Sequence, residues 1–250
     1  MKAPERHGTP MNITAGDMHF EQLNRQIRES GDKDIVIEHC LGQRYIGAGL
    51  GGRDITINGV PGNALGAYLD GAVITVNGNA QDATGDTMND GRIIIHGSSG
   101  DATGYAMRGG KIFVQGDAGY RAGIHMKAYM EKLPVLVIGG KAGSFLGEYQ
   151  AGGLIIVLGL NCERTDDYLS FCATGMHGGK IFLRTDTPPA NLPKQIVVKK
   201  AEQADIDEIA PHIEEFCTLF GEDKDKVLAG DFLVLTPDTK NPYKQLYTYN

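Results

Sequence analysis

The sequence contains no Trp, 7% aromatic residues and only four cysteines in 250 residues. Cys40, Cys162, Cys172 and Cys217 lie far apart with no CxxC pair. No zinc or iron–sulfur site is therefore spelled out, and reduced thiols in packing positions are expected. Long apolar runs are missing too. The longest, Leu154 to Leu158, is far short of the ~20 residues a membrane helix needs, and the opening "MKAPERHGTP" is too polar for a signal peptide. The expectation is a cytoplasmic chain with no membrane association. Positive charge is also scarce: 24 Lys and Arg against 31 Asp and Glu leave a formal net charge of -7, which argues against nucleic acid as a partner. Proline numbers only 10 and glycine keeps no three-residue period, so collagen is excluded.

What is abundant is glycine, 35 residues, about twice the ~7% share of ordinary proteins. Gly47, Gly66, Gly85, Gly104 and Gly123 are each 19 residues apart, and Gly59, Gly78, Gly97 and Gly116 keep the same step. Apolar positions follow. Val36, Ile55, Ile74, Ile93 and Ile112 form one series; Leu50, Leu69, Met88, Met107 and Met126 form another. The register jumps by five before Leu136, returns to 19 at Ile155, and jumps by seven before Ile181. Each repeat holds a short β-branched run, such as Ile55-Thr56-Ile57, then a glycine corner and a small-residue segment ending in another glycine. Nineteen residues are too few for a strand, a crossover helix and a second parallel strand, which take about 30.

The pattern predicts an all-β fold: a right-handed, single-stranded parallel β-helix of about eight coils with helical caps at both ends. The expected organisation is 1–33 as an N-terminal segment and capping helix, 34–186 as the coils, and 187–250 as linker, strand and capping helix. Phe20, Leu23 and Ile27 have helical spacing between Asp17 as N-cap and Gly31 as the residue past the C-cap. "QIVVKK" reads as a strand, and Ile206, Ile209, Ile213, Phe216 and Phe220 as a helical stripe opened by an Asp205/Glu208 capping box. The structural corners are assigned to Gly47, Gly59, Gly66, Gly78, Gly85, Gly97, Gly104, Gly116, Gly123 and Gly147, because a positive φ costs a residue with a Cβ about 1–2 kcal/mol. Asn58 and Asn77, followed in register by His96 and Gln115, are read as a structural polar ladder.

Local chemistry is hard to find. Gly47-Ala48-Gly49-Leu50-Gly51-Gly52 satisfies GxGxxG, but it leads into a strand where a dinucleotide fingerprint opens a helix. No Ser/His/Asp grouping, HExxH or deaminase signature occurs, so no catalytic, cofactor-binding or metal residue is assigned. The two register breaks are the candidate interface, since inserts in a strict repeat bulge outward. The first carries His125, Lys127, Tyr129 and Lys132; the second carries Arg164, Asp166, Asp167 and Tyr168.

The runs "GQRYIGAGLGG", "GVPGNALGAYL", "GNAQDATGDTMNDGRIII", "GEYQAGGLIIVLG" and "GMHGGKIFL" resemble the C-terminal GXGXG domain of the glutamate synthase large subunit, over roughly residues 35–186. Formylmethanofuran dehydrogenase has a subunit with a similar glycine-rich β-helical pattern. The first resemblance implies a non-catalytic scaffold subunit of a glutamate synthase-type complex, which carries out glutamine-dependent reductive amination of 2-oxoglutarate. Its partners would be a glutamine amidotransferase subunit and an FMN-binding synthase subunit. FMN and iron–sulfur would then sit on those partners, with no cofactor on this chain. A homo-oligomer stays open. The family's catalytic residues find no matching positions here, and none is carried over. The alternatives are the glycine-rich subunit of a formylmethanofuran dehydrogenase-type complex and a stand-alone enzyme acting on a carbohydrate or carboxylate.

Overall fold

The computed structural model describes residues 10–160 and 169–238. In chain order the elements are β1 (Met11–Thr14), α1 (Phe20–Glu29), β2 (Asp34–Leu41), β3 (Asp54–Val60), β4 (Asp70–Asn77), β5 (Asp90–Ile95) and β6 (Lys111–Val114). They continue with β7 (Val135–Ile138), β8 (Ala151–Val157), β9 (Gly178–Leu183), β10 (Ile196–Lys200), α2 (Gln203–Phe220), α3 (Lys224–Leu228) and β11 (Leu233–Pro237). The strands form one eleven-stranded sheet in the order β1-β2-β3-β4-β5-β6-β7-β8-β9-β11-β10.

This corrects the expected all-parallel, helix-capped coil. Strands β1 to β9 run parallel, but β11 pairs antiparallel with β9 and β10 antiparallel with β11, so the sheet is mixed and the expected closed right-handed helix is not shown. The physical reason lies past residue 186, where the repeat ends. The chain leaves the 19-residue register and returns as an antiparallel strand pair on the open edge of β9, satisfying backbone groups that a capping helix was expected to cover.

The strand-to-strand register follows the repeat, with one exception. Ile55, Ile74, Ile93, Ile112, Leu136, Ile155 and Ile181 are successive partners, through both jumps. At the first step, however, Ile55 pairs with Ile35 and not with Val36. An irregularity between Ile37 and Cys40 absorbs the extra residue, with His39 at φ 55°. Ile35 and Ile37 therefore point inward and are buried, and Val36 points out.

Two cores use the two faces of the sheet. Ile55, Ile74, Ile93 and their partners pack inward with Leu69, Met88, Met107 and Met126 against a layer of stacked turns. On the other face, Ile94, Phe113, Val137, Ile156 and Phe182 meet Ile209, Ile213 and Phe216 of α2. The difference is visible in the strands themselves. β3 alternates buried and half-buried positions at its start, whereas all four residues of β7 are buried. Strands covered on both faces read as continuous apolar runs, and "VLVI" and "LIIV" do.

Helix α2 crosses the outer face of the sheet and does not stand at its end. Glu208 pairs with Lys180 of β9, and Glu215 pairs with Lys111 of β6 at 2.6 Å and Arg92 of β5 at 3.1 Å. Its capping box is formed by Glu202 and Asp205, one turn earlier than the Asp205/Glu208 pair. Pro211 sits inside the helix. Helix α1 starts from His19 and not Asp17, and ends at Ser30, with Leu23 and Ile27 in the inner core. Among the described residues no helix is long and apolar enough to cross a membrane.

Candidate interaction surface

The turn layer has its own backbone repeat. In each turn, residues two apart take positive φ: Tyr45, Gly47 and Gly49, then Ala64, Gly66 and Tyr68, and so on to Phe171, Ala173 and Gly175. Successive turns are tied by hydrogen bonds running in both directions along the stack. Tyr68 N–H donates to Asp86 O at 2.7 Å in the following turn, and Gly85 N–H donates to Leu65 O at 2.8 Å in the preceding one. The middle position faces the sheet: a Cβ at Gly47 would lie 2.6 Å from Ile74 Cδ1. The two outer positions hold residues as different as Tyr, Ala, Thr, Arg, Phe and Gly, all in the same left-handed conformation. Ala173 holds the glycine position of the last turn at φ 58°. The GxGxxG run is therefore a turn feeding β3, with no helix behind it.

Side chains reinforce the stack at spacings of 19 and, at the first step, 20. Asn77 Nδ2 donates to Asn58 Oδ1 at 2.7 Å, and Asn58 Nδ2 donates to Glu38 Oε1 at 2.8 Å. His96 leaves this ladder and meets the Phe220 ring edge-on, with centroids 5.1 Å apart. Asp82 and Asp101 each accept a backbone N–H from the next turn, at 2.9 and 2.8 Å.

The first insert is pinned at one end and open at the other. Tyr129 and Lys132 exchange two backbone hydrogen bonds, closing a tight turn. Lys132 Nζ then reaches Asp90 Oδ2 at 3.1 Å and Asp70 Oδ1 at 3.6 Å, clamping the insert over the starts of β4 and β5. The Asp90 carboxyl is held below the usual carboxylate range, first by the Gly91 N–H and then, against burial, by Lys132. Tyr129 is 51% and Met130 83% exposed. Arg164, Asp166, Asp167 and Tyr168, with Cys162, lie outside the described residues.

His125 sits elsewhere, in an exposed aromatic column on the turn face. Its ring stacks on Tyr149 at 5.2 Å with an 11° interplanar angle and meets Tyr105 edge-on at 5.8 Å. A second column runs beside it: Arg121 lies 4.8 Å over Phe145, and Phe145 stacks on Phe171 at 4.9 Å. Arg121 also pairs with Glu148 at 3.1 Å. Sequence reasoning named His125 and missed Tyr105, Tyr149, Phe145 and Phe171. Repeat-register alignment of aromatic residues, with the five-residue jump counted, places Tyr149 in line with His125 and Phe145 in line with Arg121. Arg108 and Lys127 are exposed and follow Tyr105 and His125 on successive turns, where Lys127 N–H donates to Met107 O at 2.9 Å.

The thiols face inward. Cys40, Cys172 and Cys217 are free and buried. Burial pushes Cys40 up to about 11, against a hydrogen bond with Gln43, and pushes Cys172 up to about 12, which leaves both far from a reactive thiolate. Among the described residues no group of three or more His, Cys, Asp or Glu is placed to hold a metal ion.

The family model described as the GXGXG motif matches residues 22–238. The chain belongs to the GXGXG motif family. It is 48% identical over 250 residues to an uncharacterized protein of Methanocaldococcus jannaschii, covering 94% of this chain and 95% of that protein. Among solved structures it is similar to a chain of the formyltransferase/hydrolase complex FhcABCD from Methylorubrum extorquens, determined with methylofuran. That likeness has a TM-score of 0.64, 19% identity and 94% coverage of both chains; at this identity it speaks for the fold alone. The GXGXG part of the expected resemblance thus holds, and the solved structure reported above is of a formyltransferase/hydrolase complex.

Proposed function

We propose that this GXGXG chain is a non-catalytic structural subunit of a larger assembly of the formylmethanofuran dehydrogenase or formyltransferase/hydrolase kind. The observation that carries this reading is the end-to-end structural likeness to one chain of FhcABCD, with 94% of each chain covered. A stack of turns tied by backbone hydrogen bonds uses its polar groups on its own architecture, and it presents a long rigid face suited to holding other subunits in fixed positions. The chemistry, and any metal or cofactor it uses, would reside on those other subunits.

The test is recovery of the tagged chain from its own host under gentle conditions, followed by mass spectrometry of the proteins that accompany it. Subunits that handle formyl groups, in fixed stoichiometry, are the expected result. Co-purification with a glutamine amidotransferase and an FMN protein would overturn the formyl reading in favour of glutamate synthase. Recovery of the chain alone would overturn the subunit reading itself.

A further inference from the structure

Apolar area on a protein surface is ordinary when scattered; ordered rings stacked on one another beside unpaired charge are not. Tyr105 is 38%, Tyr149 46% and Phe171 56% exposed, yet these rings are held in place by contacts with His125 and Phe145. These ring contacts restrict them before anything binds, which lowers the ordering cost of association. Arg108 follows Tyr105 by three residues and Lys127 follows His125 by two; both are exposed and, among the described residues, form no ion pair. This is an unneutralised cationic edge on a chain of net charge -7. Several other cations are matched: Lys132 by Asp70 and Asp90, Arg92 and Lys111 by Glu215, and Arg121 by Glu148.

We infer that the Tyr105–His125–Tyr149 column, with Phe171 beyond it and Arg108 and Lys127 at its rim, is the docking site for a partner subunit that presents an apolar or aromatic side chain flanked by carboxylates. Aromatic rings and arginine are the residue types that carry binding energy at such centres, and the two cations select an acidic rim by charge complementarity. The site rests on the reading of the chain as a subunit of a larger assembly and names the surface through which it joins. It draws on residues from four successive turns, so the face exists only when the turns are stacked.

The experiment uses the full tagged chain in its own host, in three forms besides wild type. These are Tyr105→Ala/His125→Ala/Tyr149→Ala, Arg108→Gln/Lys127→Gln, and Tyr68→Ala as a control on the same face, where Tyr68 is 57% exposed. The first two are expected to lose co-purifying subunits by about tenfold or more, with the charge variant's loss greatest at low salt and the control unchanged. Thermal unfolding of each isolated variant separates lost docking from lost folding; should the triple variant fail to fold, the charge variant, which removes no packing, decides. Recovery of the wild type with its subunits while both patch variants retain them equally would overturn this site and leave the subunit reading intact. Recovery of the wild type alone would overturn both. A wild-type homodimer that the patch variants dissociate would overturn the partner subunit in favour of a second copy.

Discussion

An added Cβ at Gly85 would collide with Ile112 Cδ1 in a residue already at φ +72°. Strain and collision act together there, and the Ile side chain belongs to the close-packed inner core. At Gly104 the φ is +73° but the nearest atom is Met107 Sδ at 3.1 Å, the flexible part of an adaptable side chain. Gly31 has neither a positive φ nor any neighbour within 4 Å. Urea unfolding should therefore rank the alanine variants: Gly85→Ala loses about 2–3 kcal/mol, Gly104→Ala about 1 kcal/mol, and Gly31→Ala stays within about 0.5 kcal/mol of wild type. Equal losses at Gly85 and Gly104 would show that φ alone governs the repeat. The recurrence of glycine was legible at this scale. The reason for each glycine was not, because one series faces apolar side chains and another backbone: Gly78 lies against Gly59 O, where the added Cβ would sit at 2.6 Å.

Helix α2 owes its place to apolar side chains, but its polar residues set how it responds to pH. His212 is half-buried between the helix and the sheet, and its Nδ1 is buried without a hydrogen-bond partner. Burial, then the charge of Lys111 on β6, holds its pKa below the usual histidine value, against Glu215 and Glu208 on α2 itself. A histidine whose folded pKa is depressed contributes stability that is complete above the unfolded value near 6.5. As pH falls below about 6.5 the unfolded chain takes up the proton and the folded chain resists, so stability drops until the folded pKa is passed. The melting temperature is expected to decline between about pH 7 and pH 5, and His212→Leu is expected to flatten that decline. A slope that His212→Leu leaves unchanged would assign it to other groups. The helix stripe itself could be foreseen from Ile209, Ile213 and Phe216. Where it docks could not, since its partner surface is assembled from Ile94, Phe113, Val137, Ile156 and Phe182 on five separate strands.

For the whole molecule, the segment after residue 186 is part of the core and not an appendage. It supplies both strands that extend the sheet beyond β9 and the helix that covers the outer face of β5 to β9. Removing it would expose four fully buried side chains, Phe113, Val137, Ile156 and Phe182, at a cost of about 1.5–3 kcal/mol each. It would also leave the edge of β9 open for intermolecular pairing. A chain ending at residue 186 is therefore expected to aggregate on expression, and static light scattering against the full chain would reveal it. A soluble, monomeric product with cooperative melting would show that the repeat stands alone.

The sequence by itself determined the repeat, the strand partners from Ile55 onward and the identity of the inward stripe, because residues at a constant spacing fall into the same environment in every turn. It also carried the family, through the same glycine pattern. Only the tertiary structure decided that the first register step is 20 residues and that the sheet ends antiparallel. It alone placed α2 across a face and drew Tyr105, His125 and Tyr149 into one column. Each of these depends on contacts between segments that break the period or lie outside it, and such contacts are selected by packing and backbone hydrogen bonding that no local spacing records.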